Sequence, residues 1–245
     1  MATFHCEIKS GHKGAAADHA AYIARQGWHS KRGDLLFTGH GNLPPWTSDQ
    51  PGLLWKAADQ FERSNGAAYR ELVIALPREL GTEELRSLVA RMVIELVGNK
   101  PYQYAVHAPT SSLEGQDNPH LHLMYSDRLP DEVDRPAERM FSRYNPKNPA
   151  TGGCRKDNAG RSRAQLREDL IAKRKAVADL QNEYLARKGC STRVDHRTLK
   201  EQGVARRAER HLGPARINDM SAGEKRKYTA LRRRADGDEG GPTAV

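Results

Sequence analysis

Three cysteines, Cys6, Cys154 and Cys190, are scattered through 245 residues with neither a pairing pattern nor the close spacing of a metal site. That excludes a disulfide scaffold and fits a reducing cytoplasm. Long apolar runs are also missing. No window approaches the about 18 consecutive apolar residues of a membrane span, and the opening MATFHCEIKSGHKG lacks the apolar core of a secretory signal. Internal repeats and low-complexity stretches are absent. Negative charge is in deficit, with 31 acidic residues against 40 Lys and Arg and a formal net charge of +9, which favours a polyanionic partner such as nucleic acid or an acidic membrane surface. The length suits one sizeable core, or one domain with a helical extension.

The order of elements predicts an α+β fold with a mostly antiparallel central sheet flanked by helices and a C-terminal helical extension. TFHCEIK alternates Phe4, Cys6 and Ile8 against polar neighbours and reads as a strand. HKGAAADHAAYIARQG predicts a helix over 15–26, capped by Gly27. A short apolar strand follows within KRGDLLFTGHGNLPPW, then a helix from Pro51, a strand in AYRELVIALP and a helix from Thr82 to Val97. The strands PYQYAVHAP and PHLHLMYSDRL come next and are spaced to pair with each other. From about residue 130 the texture turns basic. RYNPKNPATGGCRKDNAGR predicts an exposed basic loop, around 138–161. A long helix around 163–188 presents Leu166, Leu170, Val177, Leu180 and Tyr184 as its apolar stripe. Residues 204–234 read as a basic helical extension and 235–245 as a disordered tail.

Two features carry chemistry. In NPHLHLMYSD, His120 and His122 alternate with Leu121 and Leu123, so a strand places both imidazoles on one face, roughly 7 Å apart, and both leucines on the other. His107 ends the preceding strand, and antiparallel pairing brings it beside them. Three neutral imidazoles leave coordination positions open for water or a phosphate oxygen. Imidazole suits Mn²⁺, Zn²⁺, Ni²⁺ or Co²⁺ more readily than Mg²⁺. The second feature is Tyr22, a lone aromatic among alanines in AAADHAAYIARQG, with Asp18 and His19 four and three residues before it on the same helix. A core tyrosine satisfies that pattern equally well.

Several ordered segments together resemble the relaxases of mobilizable plasmids, specifically the MobA/MobL mobilization-protein family within the HUH endonucleases. They are AAYIARQG, RSNGAAYRELVIALP, AVHAP, NPHLHLMYSDR, RPAERMFSRYNPKNPATGG and VDHRTLKEQG, and the resemblance runs from about Phe4 to Gly203. It implies a relaxase domain over 1–203 in which Tyr22 attacks one phosphodiester at an origin of transfer, forming a reversible 5′-phosphotyrosyl link. His107, His120 and His122 would hold a divalent metal, Mn²⁺ or Mg²⁺ in the first place, against the scissile phosphate. Glu71 would orient a metal-bound histidine or accept the Tyr22 proton. Arg143, Lys147, Arg155 and Lys156, with Tyr144 among them, would form a flap on single-stranded or hairpin origin DNA. Accessory mobilization proteins and a type IV coupling protein are the further partners the resemblance implies. Two other readings remain: a histidine-dependent nucleotide hydrolase, whose His-x-His-x-His run is broken here by Met124, and a non-catalytic single-strand DNA-binding module.

Overall fold

The alternating segments form strands β1 (Cys6–His12), β2 (Leu35–Gly41), β3 (Ala67–Ala75), β4 (Tyr102–His107) and β5 (His120–Tyr125) in the computed structural model. It describes residues 4–111, 113, 115–205, 212 and 214–235. The strands pair antiparallel throughout, in the order β1-β3-β5-β4-β2, so β4 and β5 are neighbours as their spacing predicts. Helices α1 (Ala16–Ile23), α2 (Pro51–Phe61), α3 (Thr82–Val97), α4 (Ala137–Met140) and α5 (Arg163–Arg187) complete the expected α+β architecture. The described residues form two compact units, one of 1–109 with 118–196, the other of 110–117 with the chain from 197 onward. The second contains α6 (Pro214–Asp219) and α7 (Ala222–Ala235). Of the tail expected over 235–245, Ala235 is instead the last residue of α7 and 236–245 lie outside the described residues, as do 206–211 and 213 of the expected basic extension. Among the described residues no helix is long and apolar enough to cross a membrane.

Period-two alternation gives the sheet two unlike faces. Leu72, Ile74, Val106, Leu121, Leu123 and Tyr125 point to one, where Leu85, Leu88 and Met92 of α3 and Val177, Leu180 and Tyr184 of α5 bury them. Ala105 and Met124 point to the other, against Ala16, Ala20 and Ile23 of α1 and Leu54 and Trp55 of α2. The indole N–H of Trp55 donates to Gln103 Oε1 at 2.8 Å, and the Gln103 amide donates to the Ala20 carbonyl, so these two buried side chains are paired. The carboxylate of Asp59 on α2 accepts from the amides of Gly14, Ala16 and Ala17 at 2.7–2.9 Å. It thereby satisfies the exposed amide end of α1 and fixes where that helix starts.

Helix α1 stops at Ile23, short of the predicted residue 26. Arg25 takes a left-handed conformation, φ +53. The Gln26 amide then reaches the Ala21 carbonyl and the Arg25 amide the Tyr22 carbonyl, the two bonds of a Schellman cap. Gly27, expected to cap the helix, instead opens a single tight turn, Gly27–His29. The long helix departs from expectation as well, for Leu166 is exposed while Val177, Leu180 and Tyr184 are buried: only the C-terminal half of α5 lies on the core.

The basic segment is irregular and exposed in part, as at 146–151, but its flanks are anchored in the core. Arg128 is 2% exposed and grips the Glu62 carboxylate through Nε and Nη2, while donating to the carbonyls of Phe141, Ser142 and Cys154. Arg135, also buried, donates to the carbonyls of Pro149 and Gly152 and pairs with Asp131. Met140, Phe141 and Cys154 enter the core under α2. Two buried guanidiniums thus supply the hydrogen bonds that the segment's carbonyls would otherwise take from water.

Candidate active site

The three predicted histidines come together at one end of the sheet. His107 and His120 are cross-strand partners, and His122 is the partner of Ala105 two positions along. Their ring centroids lie 5.0–5.4 Å apart. One ring nitrogen of each falls within 4.8 Å of the other two, a spacing that can hold a metal ion. The neighbouring acceptors assign the tautomers. His120 Nδ1–H donates to the Asn118 carbonyl at 2.9 Å and His122 Nδ1–H to Glu71 Oε1 at 2.7 Å, leaving Nε2 of each with its lone pair. His107 is fully buried; its Nε2–H donates to the Ile23 carbonyl at 2.7 Å, and its Nδ1 lies 3.2 Å from Arg25 Nη2. Burial pushes His107 down to about 4 against the Ile23 bond, with Arg25 adding to the fall, and burial lowers His120 too. Both rings are therefore neutral at pH 7, the form that binds cations.

Glu71, on the same face of β3, is 3% exposed. Burial alone would raise its carboxyl, yet the contacts and charges of His122 and His19 bring it down to about 2. It is an anion between two imidazoles. His19 Nε2 lies 3.0 Å from the oxygen that already accepts from His122, but without aligned hydrogen-bond geometry, and that nitrogen has no other partner. The His19 ring stacks on Tyr69, with centroids 5.2 Å apart. Asp18, the other acidic neighbour of Tyr22, is exposed.

Tyr22 belongs to the same cluster through its own helix end. The Ile23 carbonyl accepts from His107, and the guanidinium of Arg25 spans three groups, donating to the Tyr22 carbonyl and to Asp34 while contacting His107. The Arg25 fork holds the Asp34 carboxyl down to about 2. The Tyr22 hydroxyl accepts from Arg32 Nη1 at 3.3 Å, and His29 meets its ring edge-on with centroids 5.1 Å apart. The Tyr22 helix end is thus tied to the three-imidazole cluster through backbone carbonyls, and its half-buried phenol has its oxygen beside a cation.

A model of the MobA/MobL family matches residues 13–222. The chain belongs to the MobA/MobL family. It is 41% identical over 209 residues to the 43 kDa relaxation protein of Salmonella typhimurium, covering 84% of this chain and 56% of that one. It is 38% identical over 220 residues to Mobilization protein A of Escherichia coli, covering 87% of this chain and 30% of that one. It therefore spans about half of the first relative and under a third of the second. A solved structure described as Molecular Basis of Vancomycin Resistance Transfer in Staphylococcus aureus aligns over 80% of this chain and 100% of that chain, with a TM-score of 0.59 at 19% identity, a likeness of fold.

In this MobA/MobL chain the expected DNA-contact residues are not equivalent. Arg143, Lys147 and Arg155 are exposed and Tyr144 is half-buried. Lys156 turns inward. Its ammonium donates to the Ala67 carbonyl at 2.9 Å and lies 3.1 Å from Glu62 and 3.4 Å from Asp127, so its charge is committed within the protein. Sequence reasoning missed Arg25, Arg32 and Asp34. An arginine at the left-handed position of a helix cap has no local signature, because glycine is the residue that position ordinarily selects.

Proposed function

We propose that this protein is a relaxase that nicks one DNA strand at a plasmid origin of transfer and rejoins it after transfer. The observation that carries the reading is the attachment of the Tyr22 helix end to His107, one of three clustered imidazoles, in a chain whose relatives are named for relaxation and mobilization. The Tyr22 oxygen attacks phosphorus, the bond from phosphorus to the 3′-oxygen breaks, and the 5′ side becomes a phosphotyrosyl ester while the 3′-oxygen leaves as a hydroxyl. The phosphotyrosyl bond keeps phosphodiester energy, so the reverse attack reseals the strand without a nucleotide cofactor.

The donor set fits a divalent metal. His107, His120 and His122 would hold it, two of them with Nδ1–H already engaged, the arrangement that fixes metal-binding imidazoles. When bound, the ion supplies Lewis-acid stabilisation of charge on the scissile phosphate. Glu71 is best cast as the group that orients His122, because its oxygen is already bonded to Nδ1–H of that ring. Mn²⁺ and Mg²⁺ are the first ions to try, followed by Zn²⁺, Ni²⁺ and Co²⁺. Arg143, Lys147 and Arg155 are placed on the phosphates of single-stranded or hairpin origin DNA, with Tyr144 on a base, and accessory mobilization proteins and a coupling protein complete the partners. A histidine-nucleophile hydrolase is disfavoured, because the third position of its run is Met124, which is fully buried in the core.

The test is cleavage of an origin oligonucleotide by wild type and Tyr22→Phe with metal present. Removing one hydroxyl and no positive charge should abolish cleavage and leave binding within a few fold. Continued nicking by the variant places the nucleophile elsewhere.

A further inference from the structure

Trp28 is 96% exposed, the extreme among the large apolar side chains described. The other two tryptophans are placed differently: Trp55 is fully buried and Trp46 is half-buried. A solvated indole forgoes the large burial for which tryptophan is ordinarily kept. Its position is also fixed. Trp28 sits in the turn Gly27–His29, entered through Gly27 at φ +58 and closed by bonds from His29 to Gln26, Ser30 to Gly27 and Arg32 to His29. The turn is anchored to the Tyr22 helix by the Gln26 amide on the Ala21 carbonyl. Its two flanking groups both touch Tyr22, His29 edge-on to the ring and Arg32 on the hydroxyl. Lys31 and Arg32 are exposed beside it.

A rigid, exposed aromatic among cations, with neighbours on the nucleophile, is the combination that holds a single strand: cations for phosphates and a flat π surface for a base. We propose that Trp28 is a stacking platform for one unpaired base next to the phosphate that Tyr22 attacks, a positioning residue that sets which phosphodiester faces the phenol. This rests on the relaxase reading. Stacking accepts any base, so Trp28 would fix the strand's placement and leave sequence choice to other contacts.

The experiment couples residue to nucleotide. Single-stranded origin oligonucleotides carrying one abasic site at successive positions around the nick are bound and cleaved by wild type, Trp28→Phe and Trp28→Ala. Thermal unfolding of the variants should match wild type, since the side chain is solvated. Trp28→Ala should weaken binding about 5- to 100-fold, the range for loss of one stacked base, and Trp28→Phe should restore most of it. At one position beside the nick the abasic site should weaken wild type by a similar factor and add nothing to Trp28→Ala. Indole fluorescence should be quenched by the oligonucleotide in wild type and not in Trp28→Phe. If the protein binds and cleaves but every abasic penalty is the same in wild type and Trp28→Ala, the platform is refuted and the relaxase reading stands. If no protein binds or cleaves single-stranded DNA, both fall.

Discussion

Truncating Glu71 to alanine should weaken divalent-metal binding by about 10- to 100-fold, although the side chain is not itself one of the three proposed ligands. The magnitude follows from its position. Glu71 Oε1 accepts the His122 Nδ1–H at 2.7 Å in a site 3% exposed, and an anion there fixes the ring and raises the basicity of Nε2. In the alanine variant that N–H has no partner and the ring is free to turn, so a factor of 10–100 corresponds to about 1.4–2.7 kcal/mol of lost orientation. Glu71→Gln keeps the shape and an accepting oxygen but loses the charge, and should cost less than about 10-fold. Calorimetric titration of the protein with Mn²⁺, or absorbance with Co²⁺, gives the three affinities, which should fall in the order wild type, Gln, Ala. Metal binding by Glu71→Ala as tight as wild type would refute the orienting role. A glutamine variant with near-normal metal affinity but no single-turnover cleavage would instead make Glu71 the acceptor of the Tyr22 proton.

Three further outcomes are expected. Arg128→Ala leaves Glu62 as a buried charge without its main partner and should destabilise the protein by about 3–5 kcal/mol in denaturant unfolding, whereas Arg143→Ala, at an exposed site, should change stability by less than about 0.5 kcal/mol. The folded-state depression of Asp34 to about 2 contributes stability that is present above its ordinary value near 3.8 and is lost as pH falls between 3.8 and about 2. Asp34→Asn should therefore remove of order 1–2 kcal/mol at pH 6 and almost nothing near pH 2, as read by unfolding at each pH. Neutralising Arg143, Lys147 and Arg155 together should reduce the slope of log affinity against log salt by roughly 2, at about 0.7 per phosphate contact, with the ratio of origin to scrambled binding unchanged. An unchanged slope would remove these side chains from the DNA-contact surface.

The histidine site was legible because β5 alternates strictly: Leu121 and Leu123 must enter the core, which commits His120 and His122 to the opposite face, and pairing with β4 then places His107. Glu71 followed from the same period on β3. The groups that tie Tyr22 to the cluster were not legible, since the role of Arg25 depends on a left-handed helix cap and on Asp34 arriving from beyond the next turn. The anchoring of the basic segment was hidden for a related reason. Glycine, proline and charge describe an exposed loop by composition, and composition does not reveal that Arg128 and Arg135 are buried to bind the segment's own carbonyls. Lys156 likewise reads as one basic residue among several until its three oxygen partners are seen.

The central claim is that Tyr22 makes the covalent bond to DNA, and it is tested most directly by denaturing electrophoresis of the protein after incubation with metal and origin oligonucleotides labelled at one end or the other. The account predicts that a label on the 3′ segment migrates with the protein, that a label on the 5′ segment appears as free shorter DNA with a 3′-hydroxyl, and that Tyr22→Phe gives neither species. A protein-linked label that persists in Tyr22→Phe, or cleavage of the oligonucleotide with no protein-linked species at any time, would contradict it.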